Sequence, residues 1–237
     1  MIERGIPFSA PMVGPVMDGT KTQTRRIVRE LGGNRGGPVG DHVHWFERGR
    51  EDATRWCGHD GLGSVGWVRC PYGEPGDRLW VREAWRTVES LDEMSPAQLD
   101  PKVPVYYEAD GAIRGKPREK WGRYRHGRFM PRWASRTTLD NTDVRVERLQ
   151  QITEEDARAE GVKLGELVDA IVNGERSKVV YFEARTAFAH LWCGINGADS
   201  WKANPWVWAV SFKRVVEPNW DAPITELDQA NLKEHAR

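Results

Sequence analysis

The alternation of apolar and polar residues predicts a chain dominated by strands. Residues 78–85 follow the turn signal Pro75-Gly76-Asp77 and read as a strong strand, with Leu79 and Val81 on one face and Trp80 and Arg82 on the other. A second strand is predicted at 103–108. A third covers 137–150, bent near Asn141, where Val144 and Val146 alternate with Arg145 and Glu147. A fourth covers 206–216, with Trp206, Trp208, Val210 and Phe212 on one face.

Helical spacing is confined to three places. In residues 9–19, Met12, Val13, Val16 and Met17 recur at three- and four-residue steps, with Ser9 as N-cap, Pro11 in the first turn and Gly19 as the stop. Pro15 works against a regular helix there. The run Thr153-Glu154-Glu155-Asp156 opens a short helix through a capping box in its Asp form, ending at Glu160 and Gly161. A further helix is predicted at about 179–193, with Phe182, Ala189 and Trp192 inward and Phe188 beside them. Residues 31–76 are rich in glycine and read as an insertion with at most one or two short strands, one of them at 65–70. Strands with helices between them, and no regular βαβ alternation, predict an α+β, barrel-like domain over 1–217. Residues 218–237 form a peripheral tail.

Composition narrows the function classes. No run of eighteen apolar residues occurs, so no membrane span is predicted, and Glu3, Arg4 and three early prolines break any signal-peptide pattern. A cytoplasmic location is the default expectation. Lys+Arg and Asp+Glu are equal at 35 each, which argues against a protein living on bulk phosphate attraction but not against a local basic groove. Twelve tryptophans either fill the core or offer faces for stacking bases. The three cysteines do not suggest a disulfide framework. No glycine-rich phosphate loop is present, so no organic cofactor is expected.

The densest chemistry lies in Gly19-Thr20-Lys21-Thr22-Gln23-Thr24-Arg25-Arg26. A threonine hydroxyl becomes a nucleophile when a base takes its proton, and Lys21 could be that base if burial or the nearby guanidiniums lower its pKa. The alternative is a solvated basic turn. In a strict strand Lys21 and Thr24 would face opposite ways, so the pair works only if Lys21 lies in the turn. Glu160, at a helix C-terminus, opposes the macrodipole and calls for a cationic partner such as Lys21; otherwise it is a solvent-facing carboxylate. Residues 114–136 interleave Arg114, Arg118, Arg123, Arg125, Arg128, Arg132 and Arg136 with Trp121, Tyr124, Phe129 and Trp133, which suits either nucleic-acid binding or a solvated loop anchored by its aromatics. Glu83, at a strand end, and Tyr106 and Tyr107 on the next strand are candidates for a barrel mouth or for core-edge packing. His42, His44, Cys57, His59 and Cys70 are zinc-type residues at a non-standard spacing, so no metal site is assigned.

The form Gly-x-Lys-x-x-Thr-x-Arg at 19–26 resembles the signature of ASCH domains, a branch of the PUA-like superfamily. Residues 70–73 and 75–83, Met130-Pro131-Arg132-Trp133-Ala134-Ser135-Arg136 and Asn204-Pro205-Trp206-Val207-Trp208 are similar to blocks of a phage- and prophage-type ASCH family. The resemblance implies a PUA-like β-barrel with flanking helices. It further implies similarity to small bacterial amidohydrolases that deacylate N(4)-acetylcytidine, in which Lys21 matches the catalytic lysine, Thr24 the nucleophile, Glu160 the helix carboxylate and Arg26 the signature arginine. This chain is about twice as long as those relatives, and its insertion and basic aromatic segment have no counterpart in them.

The leading expectation is therefore an amidohydrolase acting on N(4)-acylated cytidine or a related modified nucleoside. Lys21, Thr24 and Glu160 would be catalytic, and Arg25, Arg26, Glu83, Tyr107, Arg132 and Trp133 would bind substrate. Competing expectations are a non-catalytic reader of RNA or modified bases, an ASCH-type ribonuclease acting on single-stranded RNA, and a structural role in a phage particle.

Overall fold

The structure, a computed structural model, describes residues 1–28, 44–47, 55–59, 65–172 and 175–215, and for 44–47, 55–59, 65–68, 170–172 and 176 the backbone alone. In chain order the elements are β1 (Glu3–Pro7), α1 (Ala10–Asp18), β2 (Gln23–Ile27), β3 (His44–Glu47), β4 (Arg55–His59), β5 (Val65–Arg69), β6 (Arg78–Arg82), β7 (Trp85–Arg86), β8 (Val105–Tyr107), β9 (Ile113–Arg114), β10 (Thr138–Arg148), α2 (Glu154–Ala159), β11 (Leu167–Val172), β12 (Glu175–Val180), α3 (Ala184–Asn196) and β13 (Trp206–Arg214). The fold is α+β, rich in sheet and poor in helix.

The main sheet has five strands in the order β1-β6-β10-β13-β2. Its first pair is parallel and its other pairs antiparallel. Among the described residues β1 and β2 are its two edges, so the hydrogen-bonded strands do not close into a ring. The long β10 holds the sheet together: its first residues pair with β6 and its whole length with β13, with a bulge between Asn141 and Asp143. The bulge lies where the sequence predicts a bend, and an extra residue at such a point turns the strand.

Three apolar clusters build the core. Ile6, Val13, Val16, Leu79, Leu139, Trp208 and Val210 join α1 to the sheet. Ala157, Ala184, Phe188, Trp192 and Val207 join α2 and α3 to it. Trp85, Val105, Tyr107, Met130 and Ala134 form the third, around a small sheet of β7, β8 and β9.

α1 is kept regular despite Pro15. It ends at Gly19, whose φ of 81° is left-handed and costs glycine little. Helix ends leave carbonyls unpaired, and that of Pro15 accepts the Lys21 N–H at 2.8 Å. The helix end thus fixes the backbone of Lys21.

Several expectations need correction. The insertion holds a three-stranded antiparallel sheet, β3-β4-β5, instead of one or two strands. The last helix begins at Ala184, and Val179 and Val180 belong to a β11–β12 hairpin. Phe182 is therefore not inward but 81% exposed, while Ala184, Ala187, Phe188 and Trp192 are buried. The predicted strand at 78–85 breaks at Glu83 and Ala84, dividing into β6 and β7. The tail at 218–237 lies outside the described residues.

Candidate active site

Lys21 precedes β2 and forms an isolated antiparallel bridge with Glu160. Neighbouring backbone bonds tie the same segment on both sides: Thr22 N–H donates to Ala159, and Phe212 N–H donates to Thr22. The strand starts only at Gln23, so Lys21 is free of strand alternation. Lys21 and Thr24 line one cleft, and both bonds of the Lys21 ammonium go to Glu160.

The Lys21 ammonium donates to Glu160 Oε2 at 2.6 Å and to the Glu160 carbonyl at 2.7 Å. Both residues are 3% exposed. Glu160 caps α2, where the helix dipole disfavours an anion; Lys21 is the compensating cation. Burial pulls the Lys21 amine below its ordinary value. The Glu160 charge and hydrogen bond oppose that shift, and the guanidiniums of Arg26 and Arg25 add to it.

Gly161 makes this approach possible. Its φ is +79°, and a Cβ there would sit 2.8 Å from Lys21 Cβ and 3.2 Å from Pro15 Cβ. α2 itself is set by Thr153, whose side chain accepts the Asp156 N–H.

Along β2, Thr24 and Arg26 face one way and Gln23 and Arg25 the other. The Arg25 side chain is fully buried. It donates to Glu147 Oε1 at 2.6 and 3.0 Å, to Asp156 Oδ2 at 3.1 Å, to Gln23 Oε1 at 2.6 Å and to Glu160 Oε1 at 3.4 Å. Arg145 braces the same carboxylates, bonding Glu147 and Asp156. Burial opposes ionisation of Asp156, but hydrogen bonds from Arg145 and Gln23, with the charges of Arg145 and Arg25, hold its carboxyl below the usual range. Arg25 is thus a buried strut, and one of its contacts leaves Glu160 Oε2 to Lys21.

The cleft has a volume of about 580 Å³. Lys21, Thr24, Arg25, Arg26 and Glu160 line it together with Phe8, Arg69, Tyr72 and Trp192. Thr24 is 3% exposed, and among the described residues its hydroxyl has no hydrogen-bond partner. Two buried donors on the lining, Arg26 Nε and Trp192 Nε1, also lack partners there. Buried donors of this kind are costly unless something accepts from them. Arg26 is held by the Pro7 carbonyl at 2.6 Å and lies 5.3 Å over the Phe8 ring.

Glu83, Tyr107, Arg132 and Trp133 do not line this cleft. Glu83 is buried and paired in two bonds of 2.9 Å with Arg136, which also holds Asp110 and lies 4.1 Å over the Tyr107 ring. The Tyr107 hydroxyl donates to the Ala134 carbonyl. Arg132 pairs with Glu3, and Trp133 packs edge-on against Trp85. These four residues brace the small β7–β9 sheet and its join to the main sheet.

Residues 114–136 divide in the same way. Arg125 is buried and donates to the Leu91 and Met94 carbonyls, and Trp121 packs on Tyr106. Arg118, Arg123, Tyr124, Arg128 and Phe129 remain exposed. Of the zinc-type residues, His42 lies outside the described residues, and His44, Cys57 and His59 are described by backbone alone. Cys70 is buried, and burial pushes its thiol up to about 12, so it is protonated at neutral pH. Among the described residues no cluster of metal-binding side chains occurs, and no helix is long and apolar enough to cross a membrane.

Fold and site together define an α+β protein with a buried lysine–glutamate pair and a threonine on one cleft. Neither the protein-family models, the curated proteins nor the solved structures include a match to this chain.

Sequence reasoning missed Phe8, Arg69, Tyr72 and Trp192 as cleft residues. Phe8 and Trp192 carry the signature of core aromatics, and nothing local in sequence distinguishes a core face from a cleft wall.

Proposed function

We propose that this chain is an amidohydrolase of the ASCH type that removes the acyl group from N(4)-acylated cytidine or a related modified nucleoside. The observation that carries the reading is the buried Lys21–Glu160 pair with Thr24 on the same cleft. A PUA-like barrel belongs to the same proposal. What supports it is the bulged β10, bridging β6 and β13, with α1 against the sheet.

In the proposed mechanism the Thr24 oxygen attacks the acyl carbonyl carbon while the Lys21 amine takes the hydroxyl proton. The carbonyl π electrons move to oxygen, where Arg26 stabilises the charge. The tetrahedral species collapses, the C–N bond breaks, and the leaving exocyclic nitrogen receives the proton from Lys21. Water then adds to the Thr24 ester with Lys21 again as base, releasing a carboxylic acid and restoring the hydroxyl. Glu160 orients Lys21 and balances its charge when protonated. The unpartnered donors of Arg26 and Trp192 suit a ligand rich in carbonyl oxygens, as an acylated pyrimidine is. Lys21 acting directly on water is the variant of this reaction without a threonine ester.

Hydrolysis of N(4)-acetylcytidine tests the reading, with Thr24→Ala beside wild type and intact-mass spectrometry of acid-quenched samples. Wild-type turnover with a protein species heavier by one acetyl group that Thr24→Ala lacks, and a loss of about 100-fold or more in Thr24→Ala, is the expected result. Undiminished turnover by Thr24→Ala would replace the ester by the water route.

A second reading is favoured by one observation. Arg123, Tyr124, Arg128 and Phe129 are exposed together, with Arg128 4.6 Å over the Phe129 ring. Cations beside stacking faces are what single-stranded RNA uses, so a binding module for RNA or modified bases is the alternative.

A further inference from the structure

A second cavity, of about 620 Å³, adjoins the cleft. The two share Ser9, Met12, Leu191 and Ile195, contributed by α1 with the residue before it and by α3. The boundary between them also runs through one peptide step, because Glu160 lines the first and Gly161 the second.

Its walls are apolar: Pro11, Pro15, Val162, Val168, Leu191 and Ile195. Its polar members are occupied or lie outward. The Tyr181 hydroxyl and His190 Nδ1 are 2.5 Å apart and satisfy each other. Lys163 is exposed and paired with Glu166 at 3.4 Å, and Asp169 is exposed. What remains is an apolar chamber, half open to solvent at Pro11, Gly194 and Ile195, that begins beside the Glu160–Gly161 step. Chambers of this kind favour a hydrocarbon over water, in proportion to the apolar surface covered.

We infer that this cavity is the acyl-chain subsite of the hydrolase, so that the preferred substrates carry acyl groups several carbons longer than acetyl. The inference rests on the amidohydrolase reading and adds the substrate class to it. The scissile carbonyl lies at Lys21 and Thr24, the nucleoside occupies the polar cleft near Arg26 and Trp192, and the hydrocarbon tail passes Met12 and Leu191 into the chamber. The chemistry is unchanged: water is consumed, the C–N bond breaks, and a fatty acid and cytidine leave.

The test uses the full chain with N(4)-acetyl-, butanoyl-, hexanoyl- and octanoylcytidine, and a variant that fills the chamber. Gly194 lies on α3, lines the cavity, and has no atom within 4 Å of the position its Cβ would take, so a side chain there can enter the chamber without collision. For wild type, kcat/KM rises from acetyl to hexanoyl by about tenfold or more. Gly194→Trp loses that gain while hydrolysing the acetyl compound at the wild-type rate. Gly194→Leu gives an intermediate loss, and serves if the tryptophan variant fails to fold by circular dichroism.

Turnover of the acetyl compound without any gain for longer chains overturns the inference and leaves the amidohydrolase reading standing. Equal losses for every chain length in Gly194→Leu overturn it as well. No turnover of any of the four compounds overturns the amidohydrolase reading, and the inference with it.

Discussion

Lys21 is the residue on which the proposed chemistry turns. A lysine in water is almost wholly protonated at neutral pH and cannot act as a base. Burial lowers the pKa of this one from its ordinary 10.5, while its charge remains matched by Glu160. Because the proposed base is the deprotonated amine, kcat/KM is predicted to rise with pH through that lowered value and then level off. Lys21→Arg, which stays protonated throughout, is predicted to show no such rise. A flat wild-type profile measured by stopped assays would exclude Lys21 as the base. The same shift enters stability with a definite sign. The unfolded chain holds the proton up to about the ordinary lysine value and the folded chain releases it earlier. Lys21 therefore contributes stability above the unfolded value, and that contribution is lost as pH falls through the folded one.

At the scale of elements, the turn after α2 carries the most. α2 is short, yet it delivers Glu160 to Lys21 and Asp156 to Arg25. Gly161→Ala is predicted to destabilise the fold by about 1–2 kcal/mol for the left-handed backbone alone. Since the new Cβ would meet Lys21 Cβ at 2.8 Å, turnover should fall further than stability. Thermal melts and kinetics on the same protein check this, and an unchanged kcat would mean that the Lys21 backbone position is not critical. Much of this level is legible in the sequence. Leu79, Val81, Trp208 and Val210 alternate and are buried as strand residues should be, and Thr153 and Gly19 stand where helix ends need them. The Lys21–Glu160 contact joins residues 139 apart in sequence. The only local sign of it is an anion at the wrong end of a helix. The β11–β12 hairpin is not legible in the sequence, because Glu175, Ser177 and Lys178 break any apolar alternation there. A helix that includes Val179 and Val180 places Phe182 inward with them, whereas the hairpin leaves it exposed. Glu83 is expected at a barrel mouth or in core-edge packing, and in the structure it pairs with Arg136 away from the cleft.

For the whole molecule, the equality of acidic and basic residues leaves no overall field to draw nucleic acid in. Any affinity for a single strand must be local, and the exposed group at Arg123, Tyr124, Arg128 and Phe129 is where the structure offers it. Tyr124→Ala with Arg128→Ala is predicted to weaken oligonucleotide binding by about tenfold or more, with no change in turnover of a free nucleoside. Fluorescence titration at two salt concentrations measures this, and unchanged affinity would place the binding elsewhere. The amidohydrolase account itself does not depend on that surface, because its groups meet in the cleft between α1, β2, α2 and α3. The most direct test is release of cytidine from N(4)-acetylcytidine, counted by mass spectrometry, for wild type, Lys21→Ala and Glu160→Gln. The account predicts wild-type turnover, a loss of about 100- to 10,000-fold in Lys21→Ala, and a smaller loss in Glu160→Gln. Cytidine released equally by wild type and a folded Lys21→Ala protein would contradict it.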